Sequence, residues 1–451
     1  MGDLSSRSGV LDPLSGSLRE YRDPRGKDLF ARVKPFFEWQ DLRRQNGFWP
    51  YARSTGTAPQ PLCTVKDDAG RPIHGVNFAS QDYLNLASHP AIKQAAKAAI
   101  DEFGVHSAGS GAFLGNTKYS RALERVISKF LQLEHTVLYP TGWAAGYGAI
   151  RGLIRADDHV VIDALAHNCL QDGALAATPN VHLHRHLSLA SVRRVLNHIR
   201  ARDNRNGILV ITESLFSMHS DTPDIQAMQE LCREFGARLL VDVAHDLGNL
   251  GDDGRGQIGR QNMTGKVDLV MGSFSKTFAS NGGFVACNSP AVCEYLRYFG
   301  SSGTFSNALS PIQTATVLKA FEIVDSEEGR NLRAGLMRNS LYLRHALAAE
   351  GLEVLGEPSA VVSIKIDDEA FARVISHRLG LSGVIVNLVE YPAVTRGSSL
   401  FRLQVMANHT VEHIDRVLSA LGLALRESSD AGVYVAALKD FELMRSGVPG
   451  E

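Results

Sequence analysis

The sequence lacks the features of secreted and membrane proteins. Only five of its 451 residues are cysteine, an odd number without Cys-x-x-Cys spacing. This excludes a disulfide framework and a cysteine-based zinc site and favours a reducing compartment. No stretch reaches the roughly 18 apolar residues of a membrane span, and the first ten residues have no apolar core of a secretory signal. We therefore expect a cytoplasmic protein without a transmembrane segment.

A strong charge of either sign is also missing. Lys plus Arg is 47 and Asp plus Glu is 48, so the net charge is −1, which leaves no overall basic field to hold nucleic acid or an anionic membrane. Hydrophobic residues make up 44% and charged residues 21%, an ordinary globular composition. At about 150 residues per domain, the length allows two or three domains.

Three parts follow one another along the chain. Residues 1–72 carry the aromatic clusters PFFEW and FWPY, and we interpret them as an N-terminal arm of helical segments that packs on another surface. Residues 73–307 alternate β-branched runs with helical patterns, which predicts an α/β domain with a mostly parallel, doubly wound sheet. Residues 308–451 begin with long helices and continue with shorter strands. This pattern predicts a smaller α+β C-terminal domain with a C-terminal extension.

Candidate functional residues follow the predicted strands, and doubly wound sheets bind ligands at the carboxyl ends of their strands. Lys276, which comes after the strand VDLVM, can form a Schiff base with an aldehyde. Beside it, the hydroxyls of Ser273 and Ser275 can bind a phosphate. Asp242 ends the strand RLLVD, where a lone buried carboxylate requires a cation such as a pyridinium N–H. His245, three residues further on, can reach the hydroxyl of such a ring.

Three more segments extend this pattern. Thr141, Gly142 and Trp143 stand between a predicted strand and a helix, and the N–H groups at a helix start bind anions such as phosphate. His167 follows another strand, where it can stack on a flat heteroaromatic ring and act on a substrate proton. Arg402 lies in the strand FRLQ of the small domain and can bind a carboxylate with both arms of its guanidinium.

Each segment has a plain structural explanation when it is taken alone. Lys276 can be a solvated loop lysine, and Asp242 and His245 can be a helix cap and a structural histidine. The turn at Thr141 can be an ordinary one. His167 can be a histidine whose hydrogen bonds are satisfied within the protein, and Arg402 can form a salt bridge. Together, however, the residues occur in the order phosphate turn, ring-stacking His, ring-nitrogen Asp, Schiff-base Lys and carboxylate Arg. All but the Arg follow strands of one predicted sheet. The joint order predicts a pyridoxal-phosphate site of the aspartate-aminotransferase type (fold type I).

A histidine repeat invites a different interpretation. His182, His184 and His186 alternate along one predicted strand. Three histidines within five residues do not complete a closed metal site by themselves, and we expect no carboxylate or cysteine to accompany them. We therefore expect no metal.

Longer motifs carry a family resemblance. The stretches are NFASQDYL, SAGSG, VDVAHDLGNLGDDGRG, GSFSKTFASNGG and FRLQVMANHT. Over about residues 45–425 the sequence resembles the α-oxoamine synthase family, and it is most similar to the serine palmitoyltransferase-like branch. The resemblance implies a pyridoxal-phosphate-dependent condensation of an amino acid with an acyl thioester, on coenzyme A or a carrier protein. It also implies that Ser217 binds the cofactor, and that Asn307 faces the neighbour's phosphate in a homodimer.

Departures from the family pattern leave the substrates open. Many relatives have Asn at the position of Gln81 and Ser at that of Asp246, and the branch often has Arg at the position of Gly111. Two alternatives to the condensation remain at this point. One is an aminotransferase on the same fold. The other is a non-catalytic partner subunit, against which Lys276 argues, because such subunits typically lose the lysine.

Overall fold

The computed structural model describes residues 12–429. The ends of the predicted arm and of the C-terminal extension, residues 1–11 and 430–451, lie outside the described residues. The strands are β1 (Ser54–Thr55), β2 (Leu62–Lys66), β3 (Pro72–Asn77), β4 (His135–Tyr139), β5 (His159–Asp163), β6 (Val181–His184), β7 (Ile208–Glu213), β8 (Arg238–Asp242), β9 (Leu269–Ser273), β10 (Gly283–Cys287), β11 (Val354–Leu355), β12 (Val361–Asp367), β13 (Val384–Ile385), β14 (Asn387–Val389) and β15 (Ser399–Gln404).

The helices begin in the arm and continue between the strands. They are α1 (Lys34–Gln45), α2 (Pro90–Phe103), α3 (Lys118–Leu131), α4 (Gly142–Leu153), α5 (Asn168–Ala177), α6 (Leu189–Arg200), α7 (Ile225–Glu234), α8 (Gly256–Arg260), α9 (Pro290–Phe299), α10 (Ser301–Thr304), α11 (Pro311–Val324), α12 (Glu327–Ala349), α13 (Glu369–Leu381) and α14 (Val411–Ser429), and two short 3-10 helices span Leu18–Tyr21 and Ala31–Val33. Among the described residues, no helix is both long and apolar enough to cross a membrane.

A seven-stranded sheet forms the centre, in the order β4-β10-β9-β8-β7-β5-β6. Strands β9, β8, β7, β5 and β6 pair in parallel, and β10 is antiparallel to both β9 and β4. Ile211 packs on one face with Leu170 of α5, whereas Val210 packs on the other face with Val192 of α6. Because helices cover both faces, the strands are continuous apolar runs. The predicted mostly parallel α/β fold is confirmed.

A smaller antiparallel sheet, β11-β12-β15-β14, forms the C-terminal part, with α12 and α13 packed against it and α14 packed on these two helices. A third sheet, β1-β2-β3-β13, joins the N-terminal region to the C-terminal part, because Val76 in β3 pairs in parallel with Val384 in β13. The strand that opens the predicted large domain is thus paired with a strand of the C-terminal part. The boundaries near residues 72 and 308 stay a prediction.

Candidate active site

The carboxyl ends of the central strands bring polar side chains to one edge of the sheet. Asp163 ends β5, Glu213 ends β7, Asp242 ends β8 and Ser273 ends β9. In the parallel pairing of β7 with β8, Glu213 stands directly opposite Asp242. Two carboxylates therefore lie side by side at the place where doubly wound sheets bind their ligands.

Asp242 is buried at 6% exposure, and its Oδ1 accepts a hydrogen bond of 2.9 Å from the Ala244 N–H. Among the described residues it makes no ion pair, so burial raises the pKa of Asp242, although His167 and Lys276 oppose this rise. Desolvation likewise lowers the pKa of Lys276, against the attraction of Asp242 and Glu213. A bound cation against Asp242 would relieve the cost of its burial.

The turn before α4 meets the loop that carries the lysine. Thr141 caps this helix and accepts a 3.0 Å hydrogen bond from the Ala144 N–H. A Cβ at Gly142 would lie 2.4 Å from the Cβ of Ser273, so only glycine permits this approach. The hydroxyls of Ser273 and Ser275 are 2.7 Å apart. Helix N–H groups and hydroxyls thus converge into a cradle suited to a phosphate.

Trp143 contributes its backbone to this helix start, while its ring is 44% exposed and stacks on Tyr147 with centroids 5.1 Å apart. The aromatic side chain therefore lies on the surface. The sequence expectation concerned the amide of Trp143, which belongs to the first turn of α4.

His245 is buried beside the tyrosine of the NFASQDYL motif. Its Nδ1 lies 2.8 Å from the hydroxyl of Tyr83, and burial lowers the pKa of His245 well below its ordinary value. The ring is therefore neutral near pH 7. Asn249 donates hydrogen bonds of 2.9 Å to the backbone oxygen of His245 and to the Thr277 hydroxyl. This amide ties the histidine turn to the lysine loop.

His167 stands at the mouth of the cluster with its ring open to solvent. Its backbone N–H donates a 2.6 Å hydrogen bond to the Glu213 carboxylate, and its Nδ1 lies 3.0 Å from the Sγ of Cys169. The surrounding protein desolvates the imidazole and lowers the pKa of His167, despite the attraction of Asp242. Through its hydrogen bond with the His167 N–H, Glu213 holds the backbone of His167 in place.

Arg402 reaches the site from β15 of the C-terminal part. Its Nη1 donates to the backbone oxygen of Ser217 at 3.2 Å and lies 3.6 Å from the Sδ of Met218. Its Nε is buried and has no hydrogen-bond partner among the described residues. The guanidinium thus keeps an unused donor for a carboxylate.

Asn307 is separate from these groups within one chain. Its Nδ2 lies 3.1 Å from the Nε2 of His106, and its backbone forms an isolated bridge with Ser110. Among the described residues it has no contact with the lysine loop or with the phosphate cradle. Its expected role on a neighbour's phosphate remains a prediction.

Two residues of this site were missed from the sequence. Glu213 had a usable signal, because it ends the apolar run GILVITE just as Asp242 ends RLLVD. Tyr83 had none, since its partner His245 is 162 positions away.

The three alternating histidines do not share a site, and the statement that no carboxylate accompanies them is wrong. His182 bonds to the Nδ1 of His159 at 3.1 Å, whereas His184 is buried with its Nδ1 3.0 Å from the backbone oxygen of Arg185. His186 lies beyond the end of β6 and contacts the carboxylates of Asp163 and Asp221. The fold brings in these carboxylates from the end of β5 and from the loop between β7 and α7, both distant in sequence.

Comparison with known proteins places this geometry in a family. The aminotransferase class I and II family model matches residues 73–421. Identity is 33% over 344 residues to 8-amino-7-oxononanoate synthase of Geotalea daltonii, covering 76% of this chain and 87% of that protein. The chain belongs to the α-oxoamine synthases of this family. It is also 32% identical over 344 residues to serine palmitoyltransferase of Sphingobacterium spiritivorum, covering 76% of this chain and 85% of that protein.

Solved structures agree with this membership. A structure of serine palmitoyltransferase with its pyridoxal-phosphate internal aldimine superposes with a TM-score of 0.83 at 26% identity, over 90% of this chain and all of that one. The Sphingomonas wittichii serine palmitoyltransferase gives 0.82 at 28% identity, over 89% of this chain and 99% of that one. The predicted cofactor, pyridoxal phosphate, is confirmed.

Some relatives are longer than this α-oxoamine synthase. The chain is 29% identical over 422 residues to PigH, 4-hydroxy-2,2'-bipyrrole-5-methanol synthase of a Serratia strain, and spans 63% of the length of that protein.

The residues present fit pyridoxal phosphate. The buried Asp242 has no cationic partner among the described residues. In the cradle, a side chain at position 142 would collide with Ser273, so the space beside Gly142 stays open. Both features suit a cofactor with a basic ring nitrogen and a phosphate.

Proposed function

We propose that this protein condenses an amino acid with an acyl thioester and releases carbon dioxide, giving an α-amino ketone. The observation that carries this proposal is the meeting of Lys276 and Asp242 at the strand ends with Arg402, whose buried Nε is unused. Pyridoxal phosphate, when bound, supplies an electron sink for the negative charge that develops at the amino-acid Cα.

The protein groups divide this chemistry between them. The carboxylate of Asp242 keeps the ring nitrogen protonated, and the neutral His245 hydrogen-bonds the ring hydroxyl. Lys276, whose pKa is lowered by desolvation, carries the cofactor and has an amine suited to take the Cα proton.

We assign the binding and orientation of the cofactor and the substrate to the remaining candidate residues. His167 would stack on the cofactor ring, and Arg402 would hold the substrate carboxylate. Thr141, Gly142 and Trp143 bind the phosphate at the start of α4. Ser273 and Ser275 add their hydroxyls, and the segment at Ser217 lies beside the cofactor.

In the proposed reaction the amino-acid Cα first loses its proton to the amine of Lys276. The amino-acid Cα forms a bond to the acyl carbon as the carbon–sulfur bond of the thioester breaks, and the thiol leaves with a proton. The bond from Cα to the carboxylate then breaks, so that carbon dioxide leaves and Cα is protonated. The donor is coenzyme A or a carrier protein.

The test uses a panel of amino acids labelled at the carboxyl carbon, each with coenzyme A and carrier-protein thioesters of several chain lengths. We expect labelled carbon dioxide and free thiol in equal amounts, and neither product without the thioester. An aminotransferase would instead form a 2-oxo acid and no thiol. Accumulation of 2-oxo acid without thiol and carbon dioxide under any pairing would overturn the proposal.

We further propose a homodimer with its active sites at the subunit interface. Phe113, Leu114 and Phe305 are 86–89% exposed and lie along the chain near the bridge between Ser110 and Asn307. A second copy covering this apolar face would remove the cost of exposing it. It would also bring Asn307 to the neighbour's phosphate.

Mixing two inactive variants tests this shared site. Lys276→Ala and Asn307→Asp subunits, refolded or co-expressed together, should regain up to about one quarter of native turnover, because some heterodimers contain one intact site. A monomer in sedimentation analysis, or no recovery from proven heterodimers, would contradict the proposal. We also propose a cytoplasmic location, which the five free cysteines support.

A further inference from the structure

Outside the cofactor site, His186 is held between two carboxylates, Asp163 at the end of β5 and Asp221 in the loop between β7 and α7. Its Nδ1 lies 2.8 Å from Oδ1 of Asp163, and its Nε2 lies 3.0 Å from Oδ2 of Asp221. Asp163 also accepts from the backbone N–H groups of Leu165 and Leu187. It is therefore an acceptor toward the imidazole, and Nδ1 carries a hydrogen.

This assignment gives Nε2 the character of a metal ligand. With the hydrogen on Nδ1, Nε2 presents a lone pair whenever the ring is deprotonated, and this nitrogen faces a carboxylate oxygen of Asp221. Two acceptors 3.0 Å apart require a proton or a metal cation between them. A histidine whose other nitrogen donates to a carboxylate is also the usual arrangement behind a protein metal ligand.

A third group favours a metal over a shared proton. The ligand atoms of His186, His219 and Asp221 all lie within 4.8 Å of one another. The ring of His219 makes no hydrogen bond to any described residue, and Oδ1 of Asp221 is buried without a partner. A proton joins two atoms only and leaves these groups unused, whereas a tetrahedral metal takes three protein ligands and a water.

We propose that His186, His219 and Asp221 bind one divalent transition-metal ion, with Zn²⁺ as the preferred ion. Two imidazole nitrogens and one carboxylate oxygen suit zinc, whereas Mg²⁺ and Ca²⁺ prefer oxygen ligands alone. Ligand atoms on one tetrahedral zinc are about 3.3 Å apart, so small side-chain rotations complete the set. On binding, any proton on Nε2 passes to solvent.

The site is accessible and close to the substrate-binding segment. The side chains of His186 and Asp221 are 22% and 24% exposed, so an ion can enter from solvent. His219 lies two residues after Ser217, whose backbone oxygen accepts from Arg402. A bound metal would therefore fix the turn that positions this arginine, which is a structural effect and not a step of the reaction.

Metal binding to the untagged, cofactor-loaded full-length chain tests the proposal without measuring turnover. After dialysis against a chelator, Zn²⁺ is titrated by calorimetry, and Co²⁺ is followed by its visible absorption relative to the metal-free protein. We expect one ion per chain with a Kd below about 10 µM and the strong bands of tetrahedral cobalt. Mg²⁺ should not compete. The absence of any site in this range overturns the proposal.

Variants separate this site from adventitious binding. His219→Asn and Asp221→Asn should weaken Zn²⁺ binding by about 100-fold or more, and Asp163→Asn by about 10-fold to 100-fold through the orientation of His186. His182→Asn is the matched control, because this histidine lies on β6 and bonds only to His159. Unchanged binding in a folded His219→Asn chain overturns the proposal. Zn²⁺ should also raise the Tm of the native chain and the control but not that of His219→Asn, so a destabilised variant remains informative.

Discussion

Two buried clusters of charge in this molecule are organised in opposite ways. At the ends of the central strands, Asp242 and Glu213 are buried without an ion pair to any described residue. Where the N-terminal arm meets the C-terminal part, Glu390 is equally buried. It accepts hydrogen bonds of 2.9 Å from the Tyr51 hydroxyl and 2.5 Å from the Nε of Arg373.

The cluster at the arm also contains a second arginine. Arg43 is 1% exposed and has its Nη2 3.5 Å from Glu390, and its guanidinium lies over the rings of Trp39 and Trp49 at 4.8 and 5.5 Å. Burial lowers the pKa of Arg43 to about 10, with Glu390 opposing the fall, so the arginine stays charged at neutral pH. Opposite charges and aromatic faces thus compensate one another within the protein.

The difference separates a structural cluster from a ligand site. A buried charge without a partner costs several kcal/mol, about as much as a broken buried pair. A protein retains such a charge where a bound group supplies the missing partner, and perturbed pKa values of neighbouring groups are typical of such sites. The comparison therefore predicts that substitutions at the strand ends abolish activity with little loss of stability, and that those at the arm do the reverse.

Replacing the lysine should have the largest effect. Lys276→Ala removes the amine that we propose to carry the cofactor and to take the Cα proton, so we expect turnover to fall by about 10³-fold or more. The phosphate cradle remains, and weak cofactor binding should persist. Borohydride reduction followed by peptide mapping should label Lys276 in the native protein. Lys319→Ala, at an exposed ion pair with Glu322, is the control and should keep its activity; a colourless native protein without label on Lys276 contradicts the assignment.

Removing the charge of Asp242 should rank second. Asp242→Asn keeps the shape, but the ring nitrogen loses the carboxylate that keeps it protonated. We expect a loss on the order of 10²-fold in rate. Without cofactor, the free energy of unfolding should be unchanged or higher, because an uncompensated buried charge has gone. Near-native turnover, or a cofactor-free protein that unfolds much more easily, would place Asp242 in the structural class.

The positions of site residues that lie at or near strand ends could be predicted from the sequence. Asp242 and Lys276 come directly after β-branched runs, and the carboxyl ends of parallel strands share one edge, so their proximity was predictable. The order of the strands was not, because it depends on how helices pack across the sheet. The alignment of Glu213 with Asp242 follows from that order.

Contacts between residues that are distant in sequence could not be predicted from the sequence pattern. The stretch GVIVN has the sequence pattern of one strand, but Val384–Ile385 pairs with β3 while Asn387–Val389 pairs with β15. A short apolar run carries no information about which neighbour each half meets. The pairing of Tyr83 with His245 and that of His186 with Asp221 likewise arise from the fold alone.

Arg402 offers a smaller and more selective change. Arg402→Lys keeps the charge but loses the planar fork that binds a carboxylate through two N–H groups. We expect KM for the amino acid to rise by about 10-fold or more, while the visible spectrum of the resting protein stays unchanged. Steady-state kinetics with absorption spectra check this result. A changed resting spectrum would instead assign Arg402 a structural role.

The opposite phenotype is expected at the arm. Glu390→Gln leaves Arg43 and Arg373 buried without a negative partner, so the free energy of unfolding should fall by about 3 kcal/mol. Activity of the folded fraction should remain. Glu427→Gln, at the exposed pair with Arg378, is the control and should cost less than about 1 kcal/mol. Urea unfolding followed by fluorescence measures both variants, and equal effects in the two would remove the distinction between the clusters.

The last change concerns the pH dependence of stability and Asp246, a buried carboxylate that belongs to neither class. It accepts hydrogen bonds of 2.7 Å from the Ser214 hydroxyl and from the Gln257 N–H, yet burial raises its pKa to about 7. Between its ordinary pKa near 4 and pH 7, the folded state keeps a proton that the unfolded state has released. Stability from this group is therefore present at low pH and declines as pH rises toward 7, by at most about 1.4 kcal/mol per unit, after which it levels off.

Asp246→Asn should remove this pH dependence. The amide oxygen can accept from Gln257, and the amide NH₂ can donate to the Ser214 hydroxyl, which also accepts. Urea midpoints of the variant and the native protein, measured from pH 4 to pH 8, should diverge up to about pH 7 in favour of the variant and then run parallel. The difference between the two curves removes the contributions of the other titrating groups to stability, provided that these groups do not couple to Asp246. Parallel curves over the whole range would show that Asp246 ionises normally in the fold, and that its two hydrogen bonds already compensate its burial as the arginines compensate that of Glu390.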